Sequence, residues 1–136
     1  MVYQRAQCQL RSDPAGSGRW HASRDGGRRK HNGIDFVCKP GELVYGKVTG
    51  VVTKHGYVYA DDLQWRYIEV QDDAGYKHRF MYVEPCVPIG QSVAPSIALG
   101  IAQDITKRYP NRGMLAHVHY GVKDTNGEYI NPETLA

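Results

Sequence analysis

Two histidine-centred segments carry the residue types of metal chemistry. His31-Asn32-Gly33-Ile34-Asp35 stands near the front of the chain and His117-Val118-His119 near its end. Side chains two or four apart on a strand share a face. His31 can therefore point with Asp35, and His117 with His119, while Val118 enters the opposite layer. Imidazole nitrogen and carboxylate oxygen are the usual ligands of catalytic zinc, which keeps three protein ligands and one open position. Three of these four side chains can close a zinc site, and the fourth is left for proton chemistry. Gly33 fits the same reading, because a missing side chain leaves room beside an ion. Each motif alone is a common pattern; together, in a β setting, they point to a hydrolytic zinc enzyme.

Such ligands need strands to hold them, and the chain supplies strands. Short apolar pieces at Ile34, Phe36-Val37-Cys38, Leu43-Val44-Tyr45 and Val51-Val52 are cut by Pro40-Gly41, Gly46 and Gly50. Trp65 to Val70 alternates as a strand, Asp72-Asp73-Ala74-Gly75 makes a hairpin turn, and Lys77 to Val83 returns. His55-Gly56-Tyr57 reads as another turn. Ala116 to Val122 is the last clear strand, followed by a turn at Asp124-Thr125-Asn126-Gly127. Only Ile101 to Tyr109 offers a helix, and Pro110 would stop it. The fold class is all-β: an antiparallel sheet or sandwich with little helix. Turn-formers at Asp13-Pro14-Ala15-Gly16-Ser17-Gly18 and Asp25-Gly26-Gly27 make the front irregular. Residues 1–27 read as a wrapping arm, with Trp20 and His21 laid against the body, and 28–136 as one domain.

The 136 residues suffice for one domain with a real core. Ten tyrosines against two phenylalanines suit a strand-rich fold, where one ring face packs and the hydroxyl reaches water. The formal charge of +3 is concentrated in Arg24, Arg28, Arg29 and Lys30. That run suits an anionic partner such as a cell-wall polymer, a nucleic acid or a membrane surface, although a short loop run of this kind is more often simply solvated. Aromatic and basic residues do not alternate as a nucleic-acid platform requires, so no specific nucleic-acid binding is expected. No apolar run reaches membrane-spanning length, and Met1 to Arg5 lacks the apolar core of a signal peptide. Cys8, Cys38 and Cys86 are odd in number, and spacing leaves their pairing open.

His31-Asn32-Gly33-Ile34-Asp35-Phe36, Gly41, Val44-Tyr45 and Thr49-Gly50-Val51-Val52 together resemble the LytM/lysostaphin-type (M23) zinc metallopeptidases. Val87, Gly90-Gln91, Val93, Gly100, His117-Val118-His119 and Asn131-Pro132 continue the resemblance, which covers about residues 28–134. It implies an endopeptidase that cleaves peptidoglycan cross-links or stems. It also implies His31, Asp35 and His119 as ligands of Zn2+, with His117 as the catalytic histidine. Action on the wall places such a protein outside the cell or in the periplasm, by export or by delivery through a phage or secretion apparatus. A second likeness is to leukocyte cell-derived chemotaxin-2, a secreted signalling protein of the same zinc fold. It rests on His31 to Cys38, Phe80-Met81-Tyr82-Val83-Glu84-Pro85 and Tyr109-Pro110.

One departure bears on catalysis. Active members of the family carry Tyr-X-His where this chain reads Phe80-Met81-Tyr82, so Tyr82 stands in the histidine's place. A tyrosine hydroxyl can donate a hydrogen bond to a developing oxyanion, which makes Tyr82 the second candidate catalytic residue. Strand alternation puts His78 on the same face as Tyr82, about 13 Å away, and only a bulge would bring it in as a substitute. His21 and His55 fall in loop-like segments and should be exposed. Asp61-Asp62 and Asp72-Asp73 read as turn material. The competing class is a binding or signalling protein that keeps zinc for stability. A metal-free β domain would reduce His31, Asp35 and His119 to packing residues.

Overall fold

The computed structural model describes residues 9–135. The front of that span forms two small hairpins. β1 (Ser12–Asp13) pairs with β2 (Gly16–Ser17), and β3 (Ser23–Arg24) pairs with β4 (Arg29–Lys30) across a single 3-10 turn at Asp25–Gly27. The body follows as β5 (Ile34–Val37), β6 (Leu43–Tyr45), β7 (Gly50–Tyr59), β8 (Asp62–Asp72), β9 (Lys77–Met81), β10 (Val83–Pro85), β11 (Ser92–Val93), β12 (Ala98–Ala102), β13 (His117–Lys123) and β14 (Tyr129–Ile130).

Seven strands form the main sheet in the order β11-β7-β8-β9-β13-β14, with β5 also on β13. A second sheet has the order β10-β12-β6. All of these strand pairs are antiparallel, so the all-β expectation is met. β13 is the strand that organises the site. One of its edges pairs with β9, and the other is shared by β5 and then β14.

Burial follows the period-two pattern of strands. Val118, Tyr120 and Val122 of β13 and Ile34 and Phe36 of β5 enter the core, where Phe80 stacks on Tyr120 with ring centroids 4.7 Å apart. Phe80 is fully buried and also covers Gly46, where an added methyl would lie 2.6 Å from the ring. Phe80→Ala is therefore expected to destabilise the fold by about 3–5 kcal/mol, read from urea unfolding.

The arm is tied to the body by its backbone. Arg11 N–H donates to Asp35 O at 2.8 Å, Asp35 N–H to Gly18 O at 2.8 Å and Val37 N–H to Gln9 O at 2.8 Å. Over residues 9–27 it forms short paired strands, where turn composition alone had suggested an irregular segment. Trp20 packs partly buried against the core, as expected, whereas His21, stacked on Trp20, is exposed.

Two local expectations change. His55-Gly56-Tyr57 is strand, inside β7. Gly56 is there because the Tyr67 ring of β8 lies on it, and an added Cβ would be 2.1 Å from that ring. His55 is consequently half-buried, its Nε2 2.7 Å from Val87 O. Residues 101–109 form no α-helix: β12 takes the first two, and one 3-10 turn, Ile105–Lys107, follows, capped by Asp104.

Candidate active site

Register brings the two motifs together. On β13 and β5, His119 lies opposite Asp35 and His117 opposite Val37. The residues between them, Val118 with Phe36 and Tyr120 with Ile34, fill the core. His119 and Asp35 are thereby forced onto the other face, side by side. His31 reaches the same face from the segment after β4. Its backbone is held there by His31 N–H to Ala22 O and His21 N–H to His31 O.

The three side chains converge closely. His31 Nε2 is 2.9 Å from His119 Nδ1 and 3.0 Å from Asp35 Oδ1, and His119 Nδ1 is 2.9 Å from Asp35 Oδ1. All three residues are buried. His31 Nδ1 lies 2.9 Å from Arg19 O, which can only accept, so Nδ1 carries the proton and Nε2 presents a lone pair inward. Asp35 Oδ1 presents another. A single proton on His119 Nδ1 cannot satisfy both neighbours, whereas one cation suits all three donors. The cluster therefore fits a bound metal ion.

Asp35 Oδ2 faces cations instead. Arg11 Nε donates to it at 3.1 Å, and Arg24 Nη2 lies at 3.5 Å. Burial works to raise the Asp35 carboxyl, but its close side-chain contacts with His119 and His31 hold it well below the usual range. It enters the site ionised. Neither arginine stood out in the sequence. Arg24 was one of a basic run, and Arg11-Ser12-Asp13 spells an opposite-charge pair two residues apart on one strand face, the signal that could have marked Arg11.

Gly33 makes room for the His119 ring. A Cβ there would sit 2.8 Å from His119 Nε2 and 2.4 Å from Tyr120 O.

His117 is buried beside the cluster. Its Nδ1–H donates to Leu115 O at 2.8 Å, and its Nε2 lies 3.6 Å from Asp35 Oδ2. Burial pushes its pKa below the ordinary histidine value, with the Asp35 carboxylate pulling the other way, so the ring is neutral near pH 7.

Tyr82 packs edge-on against His117, ring centroids 5.5 Å apart. It gets there through a left-handed backbone, φ 69°, which costs a tyrosine on the order of 1–3 kcal/mol. That residue breaks strand alternation and separates Tyr82 from His78. His78 stays on the core face of β9 opposite Val122, its Nδ1 2.7 Å from the Tyr120 hydroxyl and its Nε2 2.8 Å from Asp72 Oδ2. It cannot replace the absent histidine.

The Tyr82 hydroxyl is 3.1 Å from that of Tyr59, which is 2.7 Å from that of Tyr109. Arg108 stacks over Tyr59 with its guanidinium carbon 3.6 Å from the ring centroid. Burial pushes the Tyr82 phenol up to about 12, so it keeps its proton. Tyr59 and Tyr109 were invisible as site residues, because they are separated by 50 positions and meet only in the fold. Of the other candidates, His21 is exposed, Asp61 is exposed in a turn and Asp62 opens β8. Asp72 accepts the Gly75, Ala74 and Tyr76 amides that shape its hairpin turn. Cys38 is buried and Cys86 is an exposed thiol; Cys8 lies outside the described residues.

Residues 29–132 match the profile of Peptidase family M23. The chain belongs to that family. Among solved structures it is similar to the catalytic domain of the antimicrobial peptidase lysostaphin from Staphylococcus simulans, at 18% identity and TM-score 0.65, covering 92% of this chain and 91% of that one. It is likewise similar to LytU, at 18% identity and TM-score 0.68, covering 93% and 86%. A catalytic-domain variant of the prophage-encoded M23 protein EnpA from Enterococcus faecalis gives 16% identity and TM-score 0.63, covering 97% and 94%. At these identities the likenesses are of fold. No curated protein matches the chain. Among the described residues no helix is long and apolar enough to cross a membrane.

Proposed function

We propose that this chain is a zinc-dependent endopeptidase that hydrolyses peptide bonds in peptidoglycan cross-links or stems. The observation that carries the reading is the inward convergence of His31 Nε2, Asp35 Oδ1 and His119 Nδ1, with His117 and Tyr82 at its rim. Family membership and the names of the similar structures, a peptidase among them, support it.

In this reading His31, Asp35 and His119 hold Zn2+, which supplies Lewis acidity toward water and the scissile carbonyl. His117 is neutral, and its Nδ1–H is committed to Leu115 O. Its Nε2 is the atom that takes a proton from the attacking water and returns it to the leaving nitrogen. Tyr82 keeps its proton and donates toward the oxygen that gains charge as the carbonyl becomes tetrahedral. Tyr59, anchored by Tyr109, sets the position of that hydroxyl. Exposed Arg28, Arg29 and Lys30, just ahead of His31 in the chain, suit an anionic wall, and action on the wall places the protein outside the cell or in the periplasm.

The test is digestion of a panel of intact peptidoglycans by zinc-loaded protein, with products read by mass spectrometry. New peptide ends that vanish with a chelator and return with zinc are expected. Tyr82→Phe should retain zinc and lose about 10²-fold in kcat, the order found when an oxyanion donor is removed. Zinc bound firmly with no new ends from any wall would defeat the proposal. It would favour the zinc-stabilised binding protein, the alternative that tyrosine at position 82 keeps in play.

A further inference from the structure

We propose that Arg11 and Asp13 form a buried strut in the arm that positions both the metal-site carboxylate Asp35 and the proton-transfer residue His117. The inference rests on the reading of the site given above.

The contacts form a closed circuit. Arg11 Nε donates to Asp35 Oδ2 at 3.1 Å, and Arg11 Nη1 donates to Asp13 Oδ1 at 2.9 Å. The other oxygen, Asp13 Oδ2, accepts Leu115 N–H at 2.8 Å from 102 residues away. The same Leu115 residue offers its carbonyl to His117 Nδ1–H at 2.8 Å. The circuit ends where it began, with His117 Nε2 3.6 Å from Asp35 Oδ2.

Burial makes the pair unusual. The Arg11 and Asp13 side chains are each only 3% exposed. A buried ion pair is seldom better for stability than apolar packing of the same volume, so its presence asks for another job. The fork geometry of arginine shows what the job is. Arg11 occupies Oδ2 of Asp35 and leaves Oδ1 turned to the two histidines. Arg24 is no equivalent: it lies farther from Oδ2, at 3.5 Å, and its closer contact is Ser17 O at 2.9 Å. Asp13 does the matching work on the other side. By holding the Leu115 amide it fixes the carbonyl that sets the tautomer and tilt of the His117 ring. Arg11 and Asp13 are positioning residues, acting through Asp35 and Leu115.

The two halves have different signatures. In the full chain, Arg11→Met should weaken zinc binding about 10–100-fold in chelator competition, the range for loss of a group that orients a ligand. It should also change the absorption spectrum of the cobalt-substituted protein. Asp13→Asn should leave zinc affinity near wild type. With zinc saturating, it should lower kcat about tenfold or more with KM unchanged. The His117 ring signals in 15N spectra should show loss of the fixed Nδ1–H tautomer.

Circular dichroism checks folding. If Arg11→Met fails to fold, Arg11→Lys, which keeps the charge and loses the fork, carries the zinc measurement. Wild-type zinc affinity in the Arg11 variant overturns the strut's first half. An unchanged His117 ring in Asp13→Asn overturns the second. Neither readout needs turnover: a protein that binds zinc and cleaves nothing would sink the proposed function, while the zinc titration and ring spectra still decide the strut.

Discussion

Replacing His117 by alanine is expected to lower peptidoglycan hydrolysis by about 10²–10⁴-fold with zinc content unchanged. The ring stands outside the His31–Asp35–His119 triangle, so its removal takes away no donor atom of the cluster. It is the imidazole beside the cluster that burial keeps neutral, and a neutral imidazole is the species that can accept a proton near pH 7. The ring's hydrogen bond runs to Leu115 O, and Leu115 is 38% exposed, so water can take the place of the ring on that carbonyl. Zinc stoichiometry and digestion measured on the same preparation give the answer. Activity within tenfold of wild type would remove His117 from proton transfer and leave that step to bulk water.

Gly33→Ala should be the most damaging single-methyl change at the site. The new Cβ would stand 2.4 Å from Tyr120 O, 2.8 Å from His119 Nε2 and 3.0 Å from His119 Cε1. A flexible side chain could yield; the Tyr120 carbonyl belongs to β13, which is paired on both edges. Relief must come from separating β5 from β13 or from turning His119, and either move opens the donor triangle. We expect a loss of about 1–3 kcal/mol in unfolding free energy from overpacking. Zinc affinity should fall at least tenfold, the low end for a displaced ligand shell. Gly127→Ala is the control. Nothing lies within 4 Å of its Cβ, so only the cost of φ +80° remains, about 1–2 kcal/mol, and zinc affinity should not change. Equal zinc affinity in the two variants would show that Gly33 is a turn residue and no more.

These expectations draw on different sources of information. His31, Asp35, His117 and His119 could be read from the chain because strand alternation is local: a spacing of two or four fixes a shared face once a strand is granted. The β class was legible for the same reason, from short apolar runs cut by glycine and proline. Contacts between distant segments were not legible. The His31–His119 contact spans 88 positions and the Asp13–Leu115 contact 102, and no local pattern encodes either.

Tyr82 marks the boundary most clearly. Its identity, standing where a histidine is usual, was plain in the chain. Its direction was not, because alternation put it on the face of His78. A left-handed backbone turned it to His117. A tyrosine has no preference for that conformation, so only the tertiary structure holds it there: Tyr82 N–H on Arg66 O, Tyr82 O on Gln103 N–H, and its hydroxyl on Tyr59. By itself the sequence determined the donor types, their pairing on strand faces and the β scaffold. The tertiary structure decided which donors meet, which cations lie against Asp35 and where Tyr82 points. Those depend on register between strands and on burial, which arise only when distant segments share one core.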